Sequence, residues 1–310
     1  MKLKNYEDDI LKTLYNVSFN KLPPQSTTVF LIGPSLKNKE KNIREKVRKE
    51  LSRKVSYFSG NEVYYPEYLF DELMQGRKKF NLLDLENMLA NSVHAVVILL
   101  KSEGAIAELG AFANNKKLSK KLLVVVDKKY RNKKSFIILG PVRHIMEQDK
   151  RRVIFFDYEK GDPQELCDKL RWEIRFVARN QIIDKTINNP LALQNFIFIL
   201  LFVAGPLSKE KLMDILKISQ KYEADNEESL DSERENKLIS TVIKILLKNK
   251  FVQIQKNEYL IEYLLTDFGK RKLLDIIGIS KRAPRIMREI NDQRVRVLNY
   301  ERKEVKLFCD

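Results

Sequence analysis

Cysteine, histidine and tryptophan are nearly missing from this 310-residue sequence, which has two Cys, two His and one Trp. Cys167 and Cys309 cannot build a disulfide framework, and with only His94 and His144 beside them no structural metal is expected. Ten glycines and nine prolines exclude a collagen-like or linker-dominated chain. The longest apolar run, Leu191 to Gly205, is interrupted by Gln194 and Asn195 and falls short of the ~20 residues that span a membrane. Met1-Lys2-Leu3-Lys4 leads into Asn5-Tyr6-Glu7-Asp8-Asp9 with no apolar core behind it, so no signal peptide is expected. The expectation is a soluble cytoplasmic protein with reduced thiols, no metal and no membrane contact.

With 44% hydrophobic residues the chain is long and apolar enough to bury a core, in one large or two ordinary domains. Lys and Arg number 58 against 42 Asp and Glu, a formal charge of +16. That excess points to a polyanionic partner or to a surface that merely stays soluble, and says nothing about chemistry.

The first half alternates short β-prone runs with amphipathic stretches, the pattern of βα units around a parallel sheet. Strands are expected at Thr28–Ile32, Asn61–Tyr65, Ala95–Leu100, Leu122–Val126 and Arg152–Phe156. Ala95–Leu100 is apolar on both faces and is expected at the centre. Helices are expected near 39–54, with Ile43, Val47 and Leu51 facing inward, and over 82–91, 105–115 and 163–179. The expected fold is α/β: a five-stranded, doubly wound parallel sheet of flavodoxin-like order, with its ligand site at the carboxyl ends of the strands.

The pattern changes near Asn188-Asn189-Pro190. Helices are expected at Leu191–Ala204, from an N-cap at Ser208 through Leu216, over Leu238–Asn249 and over Asp267–Ile277. The acidic stretch Glu223–Glu235 is expected to be a loop or lid. Phe251–Ile254 and Tyr259–Ile261 alternate around Lys256-Asn257-Glu258 like a hairpin. Helices followed by a two-stranded wing match the plan of a winged helix-turn-helix. The domains are accordingly expected at 1–185, catalytic, and 186–280, winged-helix, with a basic tail over 281–310.

One cluster stands out. The central strand ends at Leu100-Lys101-Ser102-Glu103-Gly104, and the next helix carries Ala105-Ile106-Ala107-Glu108-Leu109-Gly110-Ala111-Phe112. Glu108 is thereby expected in the first turn of a helix at the ligand-binding edge, among small residues that leave room for a ligand. A carboxylate there can attack an anomeric carbon or stabilise an oxocarbenium ion; a glutamate that only caps the helix is the competing reading. Glu67 and Asp71, after the second strand, leave the same sheet edge and could face Glu108; Glu86 could hold ribose hydroxyls. His94 is expected to be structural. Arg143 is the better phosphate contact beside His144, and the run Lys128–Lys134 is either a phosphate-binding or a solvated loop.

Val29-Phe30-Leu31-Ile32-Gly33-Pro34, the strand Ala95–Leu100 and Glu108-Leu109-Gly110, in that order, resemble the nucleoside 2-deoxyribosyltransferase superfamily. The resemblance implies that the turn at Gly33 and Pro34 forms the site floor, that Glu108 is the nucleophile and that Glu86 contacts the sugar. Tyr65-Pro66-Glu67, Leu69-Phe70-Asp71, Leu85-Glu86-Asn87, Glu108 to Phe112 with Asn114-Asn115, and Ser135-Phe136 before Gly140-Pro141-Val142-Arg143 are similar to effectors of bacterial retrons. There a deoxyribosyltransferase-like domain is joined to a winged-helix domain. His94 stands where the superfamily usually has aspartate, and Ser102-Glu103-Gly104 replaces its usual Asp-Gly turn, which weakens the case for free-nucleoside transfer.

Retron kinship implies action with a reverse transcriptase and its DNA–RNA hybrid, msDNA, in anti-phage defence; self-association into an oligomer or filament is also expected, with the Arg-rich tail from Lys281 to Lys306 read either as a nucleic-acid-binding helix or as a helix used for self-assembly. It also implies NAD+ as substrate rather than cofactor, cut at the nicotinamide–ribose bond. Gly33, Pro34, Glu67, Asp71, Glu86, Ser102, Gly104, Asn114 and Arg143 are the expected substrate contacts around Glu108.

In the second half Lys244, Lys248 and Lys250, with Arg282 and Arg285 of the tail, are the expected nucleic-acid contacts, through backbone phosphate rather than base edges. Two competing functions stay open: a nucleic-acid-binding regulator with a nucleotide-sensing domain, and a nucleoside base-exchange transferase.

Overall fold

The computed structural model describes residues 2–22, 27–36, 42–53, 60–67, 69, 73, 85, 88, 91–179, 181, 183, 185–222, 232–256, 260–278 and 282–301. Asp71, Glu86, most of the helix expected over 82–91, residues 223–231 of the acidic stretch, the hairpin tip and residues 302–310 lie outside these. The chain divides into two compact units. One comprises 26–71 and 80–183; the other comprises 1–25, 72–79 and 184–310. The opening helix α1 (Lys2–Tyr15) belongs to the latter.

The first of these units is α/β. Its strands β1 (Thr28–Ile32), β2 (Glu62–Tyr64), β3 (Ala95–Leu99), β4 (Leu122–Asp127) and β5 (Val153–Phe156) form one parallel sheet in the order β2-β1-β3-β4-β5. β3 is central and buried along its whole length, as its two-faced apolar run requires. Residues alternate across the sheet. Val29, Leu31, Ala95, Val97, Leu99, Leu123 and Val125 face Val47 and Leu51 of α2 (Ile43–Ser52). The same core includes Leu166, Leu170 and Ile174 of a long closing helix. The opposite face, with Phe30, Val96, Ile98 and Val124 all buried, is the side of α3 (Glu103–Asn114), which packs on β3. A short π-helical segment, Ile138–Val142, leads into α4 (Arg143–Gln148), and the closing helix α5 (Pro163–Ala178) starts from an Asp162 cap with proline inside it.

In this order the connections reverse direction between β1 and β3, and the carboxyl ends of those two strands border the crevice where open α/β sheets bind ligands.

The second unit centres on α6 (Pro190–Ala204), which is buried on nearly every side. The longest apolar run of the sequence is therefore the core helix of a helical unit. Among the described residues no helix is long and apolar enough to cross a membrane. Asn189 caps α6 by accepting from Leu191 N at 2.9 Å, and Gly205 ends it at φ 74°. α7 (Lys209–Ser219) starts from Ser208, whose hydroxyl accepts from Lys211 N at 3.2 Å, as expected of that residue. α8 (Ser232–Lys248) begins within the stretch expected to be a loop. Glu233 and Glu235 lie in its first turn, where acidic side chains oppose the helix dipole favourably.

The hairpin strands are longer than expected. β7 (Val252–Lys256) and β8 (Ile261–Leu265) pair antiparallel from Val252↔Leu265 to Lys256↔Ile261, and β6 (Leu207–Ser208) adds a third strand beside β8. α9 (Asp267–Ile277) follows a Thr266 cap. Over 283–301 the expected basic tail is a packed helix, α10 (Ala283–Glu301), with Ile286, Ile290 and Val297 buried and its arginines outward. α1 and α10 join this unit through Arg296 to Asp9 at 2.8 Å and through the Lys21–Glu289 ion pair of the π-helical segment after α1.

Candidate active site

The turn after β1 is built around Gly33. A Cβ on this residue would stand 3.1 Å from Leu99 Cβ, a tight approach, and 3.5 Å from Arg44 Cδ, an ordinary contact, so a side chain here would press on the end of β3. Pro34 follows in a bend and is partly exposed. Asn42 ties this turn to α2: its side chain donates to Ser35 O at 2.5 Å and caps the helix by accepting from Arg44 N at 3.0 Å.

Arg44 then runs inward, and its side chain is 2% exposed. Its Nε donates to Leu31 O at 3.0 Å, Nη2 to the same carbonyl at 2.5 Å and Nη1 to Gly33 O at 3.4 Å. The guanidinium also grips Glu67, with Nη2 to Oε2 at 2.6 Å and Nη1 to Oε1 at 2.5 Å, and stacks 4.5 Å over the Tyr65 ring. The Tyr65 hydroxyl donates to Glu45 Oε2 at 2.5 Å. Carbonyls alone would leave a buried guanidinium uncompensated; the Glu67 carboxylate completes its environment.

Glu108 stands in the same electrostatic neighbourhood. The helix that bears it starts at Glu103, so Glu108 lies in the second turn rather than the first. Ser102 caps that helix by accepting from Ala105 N at 3.3 Å, and Glu103 is the acidic residue of the first turn. Glu108 therefore has no part in capping. It is partly buried and forms no hydrogen bond or ion pair with any described residue. Its carboxyl is pushed up to about 7, by burial first and by the negative charge of Glu67 second, against the opposing charge of Arg44. A carboxylate that titrates near neutrality and has no structural partner suits covalent or acid–base work.

The remaining expected residues fall in different places. Gly104 has open space where a Cβ would stand, at the exposed start of α3. Asn114 is exposed at the far end of the same helix, about 9 Å along its axis from Glu108. Arg143 is exposed and bonds Glu147 on its own helix at 2.9 Å. His144 meets Gln148 at 3.1 Å. His94 sits before β3, at the opposite edge of the sheet, where its Nδ1 accepts from Thr28 N at 3.1 Å and lies 2.7 Å from the Thr28 hydroxyl. It is a structural histidine, as expected. Lys244, Lys248 and Lys250 are exposed near the end of α8, and Arg282 and Arg285 are exposed around the start of α10.

Sequence reasoning missed Arg44 because α2 reads as a generally charged helix with an apolar stripe through Ile43. Its position relative to Val47 and Leu51 was the available signal: 44, 47 and 51 share one face, and a cation on a buried stripe needs an anionic partner. Tyr158, beyond β5, was also missed. Its hydroxyl donates to Val125 O at 3.0 Å, burial holds its titration above the ordinary range, and Lys101 Nζ stacks 5.1 Å over its ring.

A family model described as STM3845 retron effector protein matches residues 40–255. "Retron Ec86 putative ribosyltransferase/DNA-binding protein" of Escherichia coli is 31% identical over 201 residues, covering 61% of this chain and 63% of that protein. The correspondingly named protein of Escherichia coli retron Ec73 is 30% identical over 207 residues, covering 61% of this chain and 65% of that protein. The matched stretch thus spans less than two thirds of either relative.

Proposed function

The chain belongs to the retron effector family whose model spans residues 40–255, and from that premise we propose that it is a defence effector that cleaves the N-glycosidic bond of a nucleotide, with NAD+ as substrate. The observation that carries this reading is the Glu108 carboxylate, which bonds none of the described residues and titrates near 7 under burial and the negative charge of the Arg44-bound Glu67, on the helix that follows β3.

The chemistry needs little else. As the C1′–N bond breaks, its electron pair goes to the pyridinium nitrogen, and nicotinamide leaves neutral without a general acid. The Glu108 carboxylate either forms an ester with C1′ or holds the oxocarbenium ion by charge. Water then adds to C1′, displacing the Glu108 carboxylate where the ester has formed, and loses a proton, giving ADP-ribose. A second base in place of water would make the same site a transferase, in keeping with the ribosyltransferase part of the relatives' names. Ionised Glu108 is the active form in either case, so turnover rises with pH through about 7.

In this proposal the sheet unit has the nucleoside deoxyribosyltransferase-like fold, and Gly33, Pro34, Ser102 and Gly104 border the substrate, with Asp71, Glu86, Asn114 and Arg143 as further contacts. The helices and the β6-β8-β7 sheet of the other unit form a winged helix, with Lys244, Lys248, Lys250, Arg282 and Arg285 as its phosphate contacts. Control comes from the retron reverse transcriptase and its msDNA, in an assembly that includes further copies of the chain.

A second reading, a nucleic-acid-binding regulator without turnover, draws support from the exposed lysines of α8 and the DNA-binding part of the relatives' names. Incubation of the chain, alone and with its reverse transcriptase and msDNA, with NAD+ and a panel of nucleosides separates the readings by chromatography. Nicotinamide and ADP-ribose are expected from NAD+. Their loss by at least about a thousandfold is expected in Glu108→Gln, with an unchanged circular dichroism spectrum. Undiminished nicotinamide release by Glu108→Gln would remove Glu108 from the mechanism. Salt-dependent duplex binding with no turnover in any combination would favour the regulator.

A further inference from the structure

Three segments distant in the sequence meet at the amino edge of the sheet, opposite the carboxyl edge that borders the crevice. Ser119–Lys121 runs directly into β4, and Lys150–Arg152 directly into β5. Arg152 joins the two, donating from Nη1 to Ser119 O at 3.2 Å. The second half of α5 reaches the same place, with the Arg151 guanidinium 3.7 Å over the Phe176 ring and the helix packed on the turn Ser119–Lys121.

This edge is strongly cationic. Lys116–Lys121, Asp149–Arg152 and Arg171–Arg179 hold ten Lys and Arg against two acids, half of the whole chain's excess of +16. Of those acids, Asp149 is committed to Arg151, accepting from its Nη2 at 2.8 Å and its Nε at 3.1 Å, and Glu173 is partly buried. Lys116, Lys120 and Lys150 are exposed and form no ion pair with any described residue. Crowded like charges work against the fold, and a surface that merely stays soluble needs both signs interspersed.

The aromatic side chains identify the partner. Trp172, the sole tryptophan, is 61% exposed, and Phe176, one turn further along α5, is 37% exposed. Exposed rings about 6 Å apart along a helix, set among cations, suit a polymer that alternates phosphate with accessible bases. Lysines meet the phosphates and the rings stack on the bases. A duplex keeps its bases stacked inside, and an acidic protein surface has none.

We propose that the amino edge of the sheet unit binds single-stranded nucleic acid, with Trp172 and Phe176 as stacking platforms and Lys116, Lys120 and Lys150 as phosphate contacts. Arg151, fixed by Asp149, braces the Phe176 ring from one face. This site is separate from the lysines of α8, which belong to the other unit, and does not depend on the role of Glu108.

Because Trp172 is the sole tryptophan, the fluorescence of the full-length protein reports this surface alone. An oligothymidylate of about 16 nucleotides is expected to quench it saturably, and a duplex of equal length or polyglutamate to quench it little. Lys120→Glu combined with Lys150→Glu is expected to weaken binding at least about tenfold at an unchanged thermal midpoint, and to flatten the salt dependence by about 0.7 per lysine. Phe176→Leu, which keeps apolar bulk and removes the ring, is expected to weaken it about fivefold or more. No binding, or binding of a labelled strand seen by anisotropy without quenching of Trp172, overturns the proposal. So does unchanged affinity in the double lysine variant. Equal quenching by duplex or by polyglutamate also overturns it, assigning the edge to a backbone polyanion or to an acidic protein. No step of the measurement involves NAD+, so this proposal and the glycosidase reading fail separately.

Discussion

Gly33 and Leu99 meet across the carboxyl ends of β1 and β3 so closely that a methyl group on residue 33 would need a neighbour to give by a few tenths of an ångström. A Cβ at residue 33 would approach Leu99 Cβ to 3.1 Å. Leu99 is fully buried and Arg44, the next neighbour at 3.5 Å, is held by two carbonyls and a carboxylate. Both are held in place, so the small give that a Cβ at residue 33 demands is costly at either.

Gly33→Ala is accordingly expected to destabilise the sheet unit by about 1–3 kcal/mol, the usual range for overpacking a close-packed site. Trp172, the sole tryptophan, lies on α5 in that unit and reports its unfolding by fluorescence in urea. A midpoint equal to that of the wild type would show that Leu99 and Arg44 yield after all.

The titration of Glu108 also predicts how stability follows pH. Folded, its carboxyl titrates near 7, against an ordinary value of 4.5. Below pH 4.5 it is protonated in both states and contributes no difference. Between 4.5 and about 7 the unfolded chain releases the proton that the native state retains, so this group's contribution falls as pH rises. Glu108→Gln is thus expected to be more stable than the wild type at pH 8, by on the order of 1–2 kcal/mol once partial exposure is allowed for, and to lose that advantage toward pH 4. Urea midpoints at the two pH values check this; a pH-independent difference would contradict the assigned titration.

Lys250 holds a position that suits glycine. At the end of α8, Phe251 N bonds Leu246 O at 3.0 Å and Lys250 N bonds Leu247 O at 2.9 Å, a Schellman closure with Lys250 at φ 60°. Lys250→Gly is expected to stabilise the helical unit by about 0.5–1 kcal/mol. If Lys250 also touches phosphate, the same variant weakens nucleic-acid binding, so thermal stability and a salt-dependent binding assay should move in opposite directions.

Cys167 is expected to be inert while the protein is folded. It is fully buried, and burial pushes its thiol up to about 12. In a Cys309→Ser background the remaining thiol should react with a chromogenic disulfide at pH 8 only as fast as the sheet unit opens. Prompt labelling in native buffer would mean that α5 detaches readily from α2.

The sheet was legible because its information is local. Short β-prone runs, buried on both faces in β3 and β4, mark β1 to β5 within a residue or two, and the motif after β3 marks Glu108 by its small neighbours. α6 was legible as a helix for the same reason, since an N-cap, a proline at the first position and a closing glycine bound an apolar run. Less legible were α1 and α10, which pack on each other and on α6, elements distant from α1 in the sequence. The start of α8 was read as loop because its first turn is polar, although acidic residues at a helix start are favourable.

What the sequence determined by itself is thus most of the elements and one candidate carboxylate on the helix after β3, because propensity and periodicity act over a few residues. Tertiary structure alone decided which charges act on that carboxylate. The parallel crossovers set the strand order β2-β1-β3, so the carboxyl ends of the strands that lead to Glu67, to Gly33 and to the helix of Glu108 lie side by side on one edge of the sheet. There the charge of Glu67 reaches Glu108, and Arg44 is buried deeply enough to hold Glu67. Charge–charge coupling depends on distance and burial, and neither is written in the spacing of residues along the chain.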